Sequence, residues 1–318
     1  MSGTEGIPVT HSGEDVNTYR LGINTCFAVK RWPQPERWAT LVRDELGLDL
    51  VQHCLDLVDL DAPAGEVAAQ ADRVRAACAG AGLTLHSTFT GLAAYSSNLL
   101  LHPDPAARER ARAWYRRAID FTAAAGAGST GGHIGAYSVD DWRDPPTRWE
   151  LWAELTGSLA GLAAYARDRG LSALMAENLA AAREPSTIEM MSSLLTSGDE
   201  AHVPVTLCLD VGHQCVPGTS GDDRDPYAWL ERLGRRAPVV QLQQADGRAD
   251  HHWPFTPETN ATGIISAERV LAALDASGAT DVALVLEVIP AFEQDDDQAL
   301  ADLVQSARYW RDALARHA

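Results

Sequence analysis

Residues 205–246 read VTLCLDVGHQCVPGTSGDDRDPYAWLERLGRRAPVVQLQQAD. The run 205–210 is short and apolar, as a buried strand should be. Asp225-Pro226 then opens a helix over 226–236, with aspartate as the cap and proline at the first helical position. A second apolar run, 239–243, follows it. Strand, helix, strand in this order joins parallel neighbours, because a hairpin cannot connect parallel strands.

The same unit recurs in both directions. Strands are predicted at 21–27, 48–53, 83–88, 129–134, 172–177, 205–210, 239–243 and 282–287. Helices are predicted at 35–46, 65–81, 105–126, 148–169, 186–197, 226–236, 266–277 and 297–315. Glycines at 80, 82, 126, 128, 170 and 278 mark helix ends, and Asp104-Pro105 repeats the cap-proline signal. Eight strand–helix units predict an α/β fold of one kind, a single (β/α)8 TIM barrel over 20–318, preceded by a polar extension over 1–19. The longer βα loops fall at 88–104, 134–147 and 244–265. A doubly wound open sheet would place a glycine-rich phosphate turn after its first strand. Ala28-Val29-Lys30-Arg31-Trp32 stands there instead.

Of the 318 residues, 44 are acidic and 26 basic, a net charge of −18. That balance opposes partners that are polyanions, both nucleic acid and an anionic membrane surface. Lys30 is the sole lysine, so a Schiff-base mechanism would have to use a residue lying beyond its strand. The five cysteines are scattered without a C-x-x-C pair, which reads as buried free thiols. Residues 1–20 lack the apolar core of a secretory signal, and no run reaches the roughly 18 apolar residues of a membrane span. The sequence reads as cytoplasmic.

Barrel chemistry sits at the carboxyl ends of the strands. Strand five ends on Glu177, six on Asp210 with His213 three residues later, seven on Gln243, and eight on Glu287. An unpaired buried carboxylate is costly, and three at neighbouring strand ends suit an oxygen-ligated divalent cation, Mn²⁺ first, with Mg²⁺ or Co²⁺ as alternatives. Each carboxylate could instead cap a helix or pair with a loop arginine.

At these residues the chain resembles the xylose isomerase-like sugar-phosphate isomerases and epimerases. The resemblance runs from about Arg20 onward and is carried by GINTCFAVKRW (22–32), HSTFTGLAAYSSN (86–98), GGHIG (131–135), AEN (176–178), LDVGH (209–213), QLQQADG (241–247) and LEVIP (286–290). With HHWPFTP (251–257), it is nearest to the tetrulose-phosphate, or erythrulose-phosphate, 3-epimerases of erythritol catabolism. The resemblance implies a metal held by glutamate, aspartate, histidine and glutamate on strands five to eight. Glu177, Asp210 and Glu287 match. Gln243 replaces the histidine, and its carbonyl oxygen is a weaker ligand. His213 matches a position that contacts substrate, and dimers are usual in the group, so a homodimer is expected.

Epimerisation beside a ketone needs a base on one face and an acid on the other. A divalent cation stabilises the enediolate between them as a Lewis acid. Glu177 and Glu287 are assigned these proton transfers. The substrate expected is a small ketose phosphate, with Lys30, Arg248, His251 and His252 as candidate phosphate contacts and His86 and His133 lining the mouth. An aldose–ketose isomerase or a free-ketose 3-epimerase would use much the same site. An abasic-site endonuclease would need a basic groove and more histidine ligands; a non-catalytic barrel would bind no metal.

Overall fold

The structure, a computed structural model, describes residues 18–317. Eight parallel strands close into a barrel in chain order. They are β1 (Thr18–Asn24), β2 (Leu50–Cys54), β3 (Thr84–Phe89), β4 (Ser129–Gly132), β5 (Ala173–Glu177), β6 (Val205–Asp210), β7 (Val239–Leu242) and β8 (Asp281–Leu286). β1 closes on β8 along six residue pairs, from Thr18↔Asp281 to Ile23↔Leu286. The barrel expected from the alternation of strands and helices is the fold observed. Most of the expected 1–19 extension lies outside the described residues, and β1 begins at Thr18.

The helices α1 (Pro35–Thr40), α2 (Ala64–Ala81), α3 (Pro105–Ala125), α4 (Val139–Arg143), α5 (Pro145–Asp168), α6 (Ile188–Leu194), α7 (Pro226–Leu233), α8 (Pro257–Asn260), α9 (Ala267–Ser277) and α10 (Asp296–His317) surround it. Asp104 and Asp225 accept the backbone N–H two residues on, which satisfies an otherwise orphaned donor. α2, α3 and α9 end on left-handed Gly82, Gly126 and Gly278, as expected. Several expected bounds shift, among them 35–46, which is α-helical only to Thr40 and continues as a π-helix over Leu41–Glu45, and 226–236, whose α-helix stops at Leu233. The first strand ends at Asn24, not 27, because the Asn24 side chain accepts the Cys26 N–H and starts a 3-10 turn over Thr25–Ala28. The sixth helix is shorter than 186–197, stopping at Leu194. α4 and α8 are extra short helices inside two of the long βα loops. None of the described helices is long and apolar enough to cross a membrane.

Alternate strand residues point inward. Leu50, Phe89, Met175, Cys208, Val239, Ala283 and Val285 form an apolar plug inside the barrel, separate from the larger core between strands and helices. Moving along the same inward parity brings Met175 to Glu177, Cys208 to Asp210, Val239 to Gln241 and Val285 to Glu287. The plug therefore floors a polar layer at the carboxyl ends of the strands.

Candidate active site and metal centre

Glu177 and Asp210 are fully buried and Glu287 is only 2 % exposed. One oxygen of Glu287 is fixed by the strand walls: Oε1 accepts from Asn24 Nδ2 at 3.1 Å and from Gln241 Nε2 at 2.9 Å. Both amides also donate to Gln52 Oε1, at 2.9 and 3.0 Å. Asp210 Oδ1 accepts the Gly212 N–H at 2.6 Å and Gln243 Nε2 at 3.1 Å. The remaining oxygens lack hydrogen-bond donors, and the imidazole nitrogens beside them are His213 Nδ1, 3.6 Å from Glu177 Oε1, and His252 Nδ1, 3.8 Å from Glu287 Oε2. Both Glu177 oxygens, Asp210 Oδ2 and Glu287 Oε2 have no hydrogen-bond partner among the described residues.

Leaving such atoms buried and unbonded is expensive, and like charges gathered in a dry site raise one another's pKa. Burial pushes the Glu177 carboxyl up to about 8, and the charge of Asp210 adds to it. Burial, with Glu177 and Asp210, holds Glu287 well above the usual carboxylate range. A positive charge among these oxygens would relieve both penalties. Among the described residues, three overlapping groups have the spacing to hold a metal ion: Glu177, Asp210, His213; Asp210, His252, Glu287; and His213, Asp250, His252. Carboxylate oxygens with imidazole nitrogen fit a divalent cation of the Mn²⁺, Mg²⁺ or Co²⁺ type.

The two histidines reach this layer differently. His213 follows β6 and sets Nδ1 2.7 Å from the Asn178 carbonyl oxygen, with Nε2 3.3 Å from Asp250 Oδ2. Burial alone would lower its pKa, but the carboxylates of Asp210 and Asp250 outweigh that and raise it. His252 comes from the β7–α8 loop and sets Nε2 3.2 Å from Asp250 Oδ1. Asp250 is held well below the carboxylate range by His213 and His252, although the site around its carboxylate is partly desolvated.

The other candidates divide. His133 lies beside the site: its ring stacks on Tyr95 at 4.9 Å, Tyr95 meets His213 edge-on at 6.3 Å, and burial pushes the His133 imidazole down to about 4. His86 is a correction. It is the third residue of β3 and does not reach the mouth, and the charges acting on it are Arg20 and Asp281, near the opposite ends of β1 and β8. His251 turns away from the carboxylates, stacking on Trp253 at 3.9 Å and pairing with Asp246 at 3.0 Å. Arg248 is exposed in the same loop. Lys30 is exposed too, with Nζ 4.1 Å from the centre of the Phe292 ring in the loop after β8.

Comparison with known proteins fits this geometry. The family described as xylose isomerase-like TIM barrel matches residues 42–313. The chain belongs to that family. Within the xylose isomerase-like barrels, it is 27% identical over 296 residues to D-erythrulose 1-phosphate 3-epimerase of Brucella abortus (strain 2308), covering 91% of this chain and 94% of that one. A crystal structure of a candidate xylose isomerase from Rhodospirillum rubrum ATCC 11170 is 36% identical, with a TM-score of 0.84 over 93% of this chain and 99% of that chain. D-psicose 3-epimerase from Clostridium cellulolyticum H10 shares the fold, with a TM-score of 0.67 at 16% identity over 93% and 99% of the two chains.

Sequence reading missed several members of the site. Asn24, Gln52 and Gln241 carry a signal after all, since each is a fully buried polar side chain near the carboxyl end of a strand. Asp250 carries none, because it follows no strand and meets its partners only through the path of its loop.

Proposed function

We propose that the protein is a divalent-metal-dependent 3-epimerase of a short ketose phosphate of the D-/L-erythrulose phosphate type. The observation that carries the reading is the buried layer in which Glu177 and Glu287, three strands apart around the barrel, each leave a carboxylate oxygen unbonded and each share a metal-spaced group with Asp210. Glu177, Asp210 and Glu287 would hold the cation, which supplies Lewis acidity toward a ketone carbonyl and its neighbouring hydroxyl. One glutamate takes the proton from C3 and the other returns a proton to the opposite face, inverting the centre. Asn24 and Gln241 fix the Glu287 carboxylate for its share of this work. Tyr95 and His133 wall the space from solvent, which keeps water from the reacting carbon.

The substrate's phosphate is assigned to the rim, where Lys30 and Arg248 supply positive charge in an otherwise acidic protein. The similarity to an erythrulose-phosphate epimerase over nearly the full length of both chains supports the choice of sugar. The free and buried state of all five cysteines supports placing the enzyme in the cytoplasm.

The test is proton NMR of D- and L-erythrulose phosphates in deuterated buffer with enzyme and Mn²⁺. Exchange at C3 is expected in the spectra, with interconversion of the two enantiomers followed by polarimetry. Exchange at C1 instead would make the protein an aldose–ketose isomerase, and near-normal turnover in both Glu177→Gln and Glu287→Gln would sink the two-glutamate mechanism.

A further inference from the structure

We propose that His252, carried in by the loop after β7, is the fourth ligand of the cation, and that Gln243 is the residue that positions it. The inference rests on the metal-dependent reading above. Gln243 occupies the strand-seven position that faces the carboxylate layer, but its amide is engaged elsewhere. Its Oε1 accepts the His252 backbone N–H at 2.6 Å. Its Nε2 donates to Asp210 Oδ1 at 3.1 Å and to Asp250 Oδ1 at 2.8 Å. An amide nitrogen directed at a ligating carboxylate orients that ligand and does not itself bind metal. In this arrangement Gln243 is a clamp joining the end of β7 to the returning loop.

The clamp delivers an imidazole. A ring nitrogen of His252 and carboxylate oxygens of Asp210 and Glu287 all lie within 4.8 Å of one another. His252 Nδ1 lies 3.2 Å from the backbone oxygen of Glu287. Nε2 lies 3.2 Å from Asp250 Oδ1 and Nδ1 3.8 Å from Glu287 Oε2, so donation to Asp250 keeps the proton on Nε2 and leaves the Nδ1 lone pair toward the acids, the carboxylate-fixed tautomer a ligand histidine needs. The partners across the gap, Asp210 Oδ2 and Glu287 Oε2, are the buried oxygens without donors.

The local backbone is built around this placement. His252 has φ 49°, a left-handed conformation that a side-chain-bearing residue keeps only where its surroundings demand it. It is held by the Ile289 N–H on its carbonyl at 3.1 Å and by the reciprocal Gln244–Trp253 backbone bonds at 2.9 and 3.1 Å. Gly212 completes the clamp, since a Cβ there would lie 2.3 Å from Gln243 Cδ. His213 also has its Nδ1 on a backbone carbonyl, but its metal-spaced group with the strand-end acids, Glu177 and Asp210, leaves out Glu287. His252 is the histidine whose group joins the acids of β6 and β8.

Chelator-stripped protein titrated with Mn²⁺ tests this, read by calorimetry and by pulsed EPR for the ¹⁴N modulation of a bound imidazole. Wild type should show that signal. His252→Gln should bind Mn²⁺ about 100-fold more weakly and lose it, and Gln243→Ala, which leaves the imidazole in place, should weaken binding about 10-fold and keep it. Gln243→His in the His252→Gln background should restore the signal from the strand itself. Unchanged affinity and ¹⁴N signal in His252→Gln overturns the inference, as does a signal that vanishes in His213→Gln instead. If Glu177→Gln and Asp210→Asn weaken binding while His252→Gln does not, only this inference falls. If wild type binds no Mn²⁺, the metal-dependent reading falls with it.

Discussion

Asn178 and Asp210 hold each other across the β5–β6 seam by a reciprocal pair of hydrogen bonds. Asn178 Nδ2 donates to the Asp210 carbonyl oxygen at 2.9 Å, and the Asp210 N–H donates to Asn178 Oδ1 at 2.8 Å. The side chain of the residue after one acid thus sets the backbone of the next. Asn178→Ala leaves a buried donor and a buried acceptor unpaired and should cost about 2–4 kcal/mol of stability. Denaturant melts with and without Mn²⁺ check this, and a loss under about 0.5 kcal/mol would rule out a structural role for the pair.

Glu287 depends on a different support. Gln241→Leu keeps the volume but removes one of the two donors on Glu287 Oε1. Turnover should fall about 10-fold with a smaller change in KM, because the carboxylate is no longer held at one angle. Steady-state kinetics of sugar interconversion decide it. Equal rates in both proteins would show that Asn24 suffices.

Lys30 stands at φ 65° with its ammonium over Phe292. Lys30→Ala should raise KM for a ketose phosphate about 10-fold while leaving KM for the unphosphorylated ketose nearly unchanged. Parallel changes for both sugars would remove Lys30 from phosphate binding. Lys30→Gly, which accepts the left-handed backbone, should melt higher than Lys30→Ala by a margin of about 1 kcal/mol.

His53 makes stability depend on acid. Burial between Trp38 and Phe121 pushes its imidazole down to about 3, while the unfolded chain titrates near ~6.5. Between those values the unfolded state carries a proton that the folded state lacks. Stability should therefore fall as pH drops through this window, with His53 contributing up to about 1.4 kcal/mol per unit, and should be insensitive to His53 above it. Urea melts from pH 4 to about 7 on wild type and His53→Gln measure the difference. Parallel curves would refute the assignment.

The barrel was legible because its strands are short apolar runs separated by capped helices, and that pattern leaves few other ways to close a parallel sheet. Glu177, Asp210 and Glu287 stood out because each is the first charged side chain after an apolar run. The side-chain network that orients them was not legible, since Gln52 and Gln241 become partners only when the sheet closes. Residues 25–28 have a strand's composition, but the Asn24 side chain captures a nearby N–H and turns the chain. His252 was visible as a residue, yet loop geometry that brings it beneath Glu287 leaves no local trace. His86 was misplaced although its strand was expected at 83–88, because a residue in mid-strand was read as if it stood at the carboxyl end.

Barrel closure has a consequence for biosynthesis. Glu287 directly follows the last barrel strand, and β8 makes its six-pair seam with β1, the first barrel strand to be made. The long sequence separation makes that pairing among the slowest contacts to form. Until it forms, Asn24 and Glu287 are strangers, and the nascent chain carries Glu177 and Asp210 without the wall that completes their site. Activity should therefore emerge only after β8 has been made and has docked on β1, on a chain that has already waited with an open sheet edge at both ends.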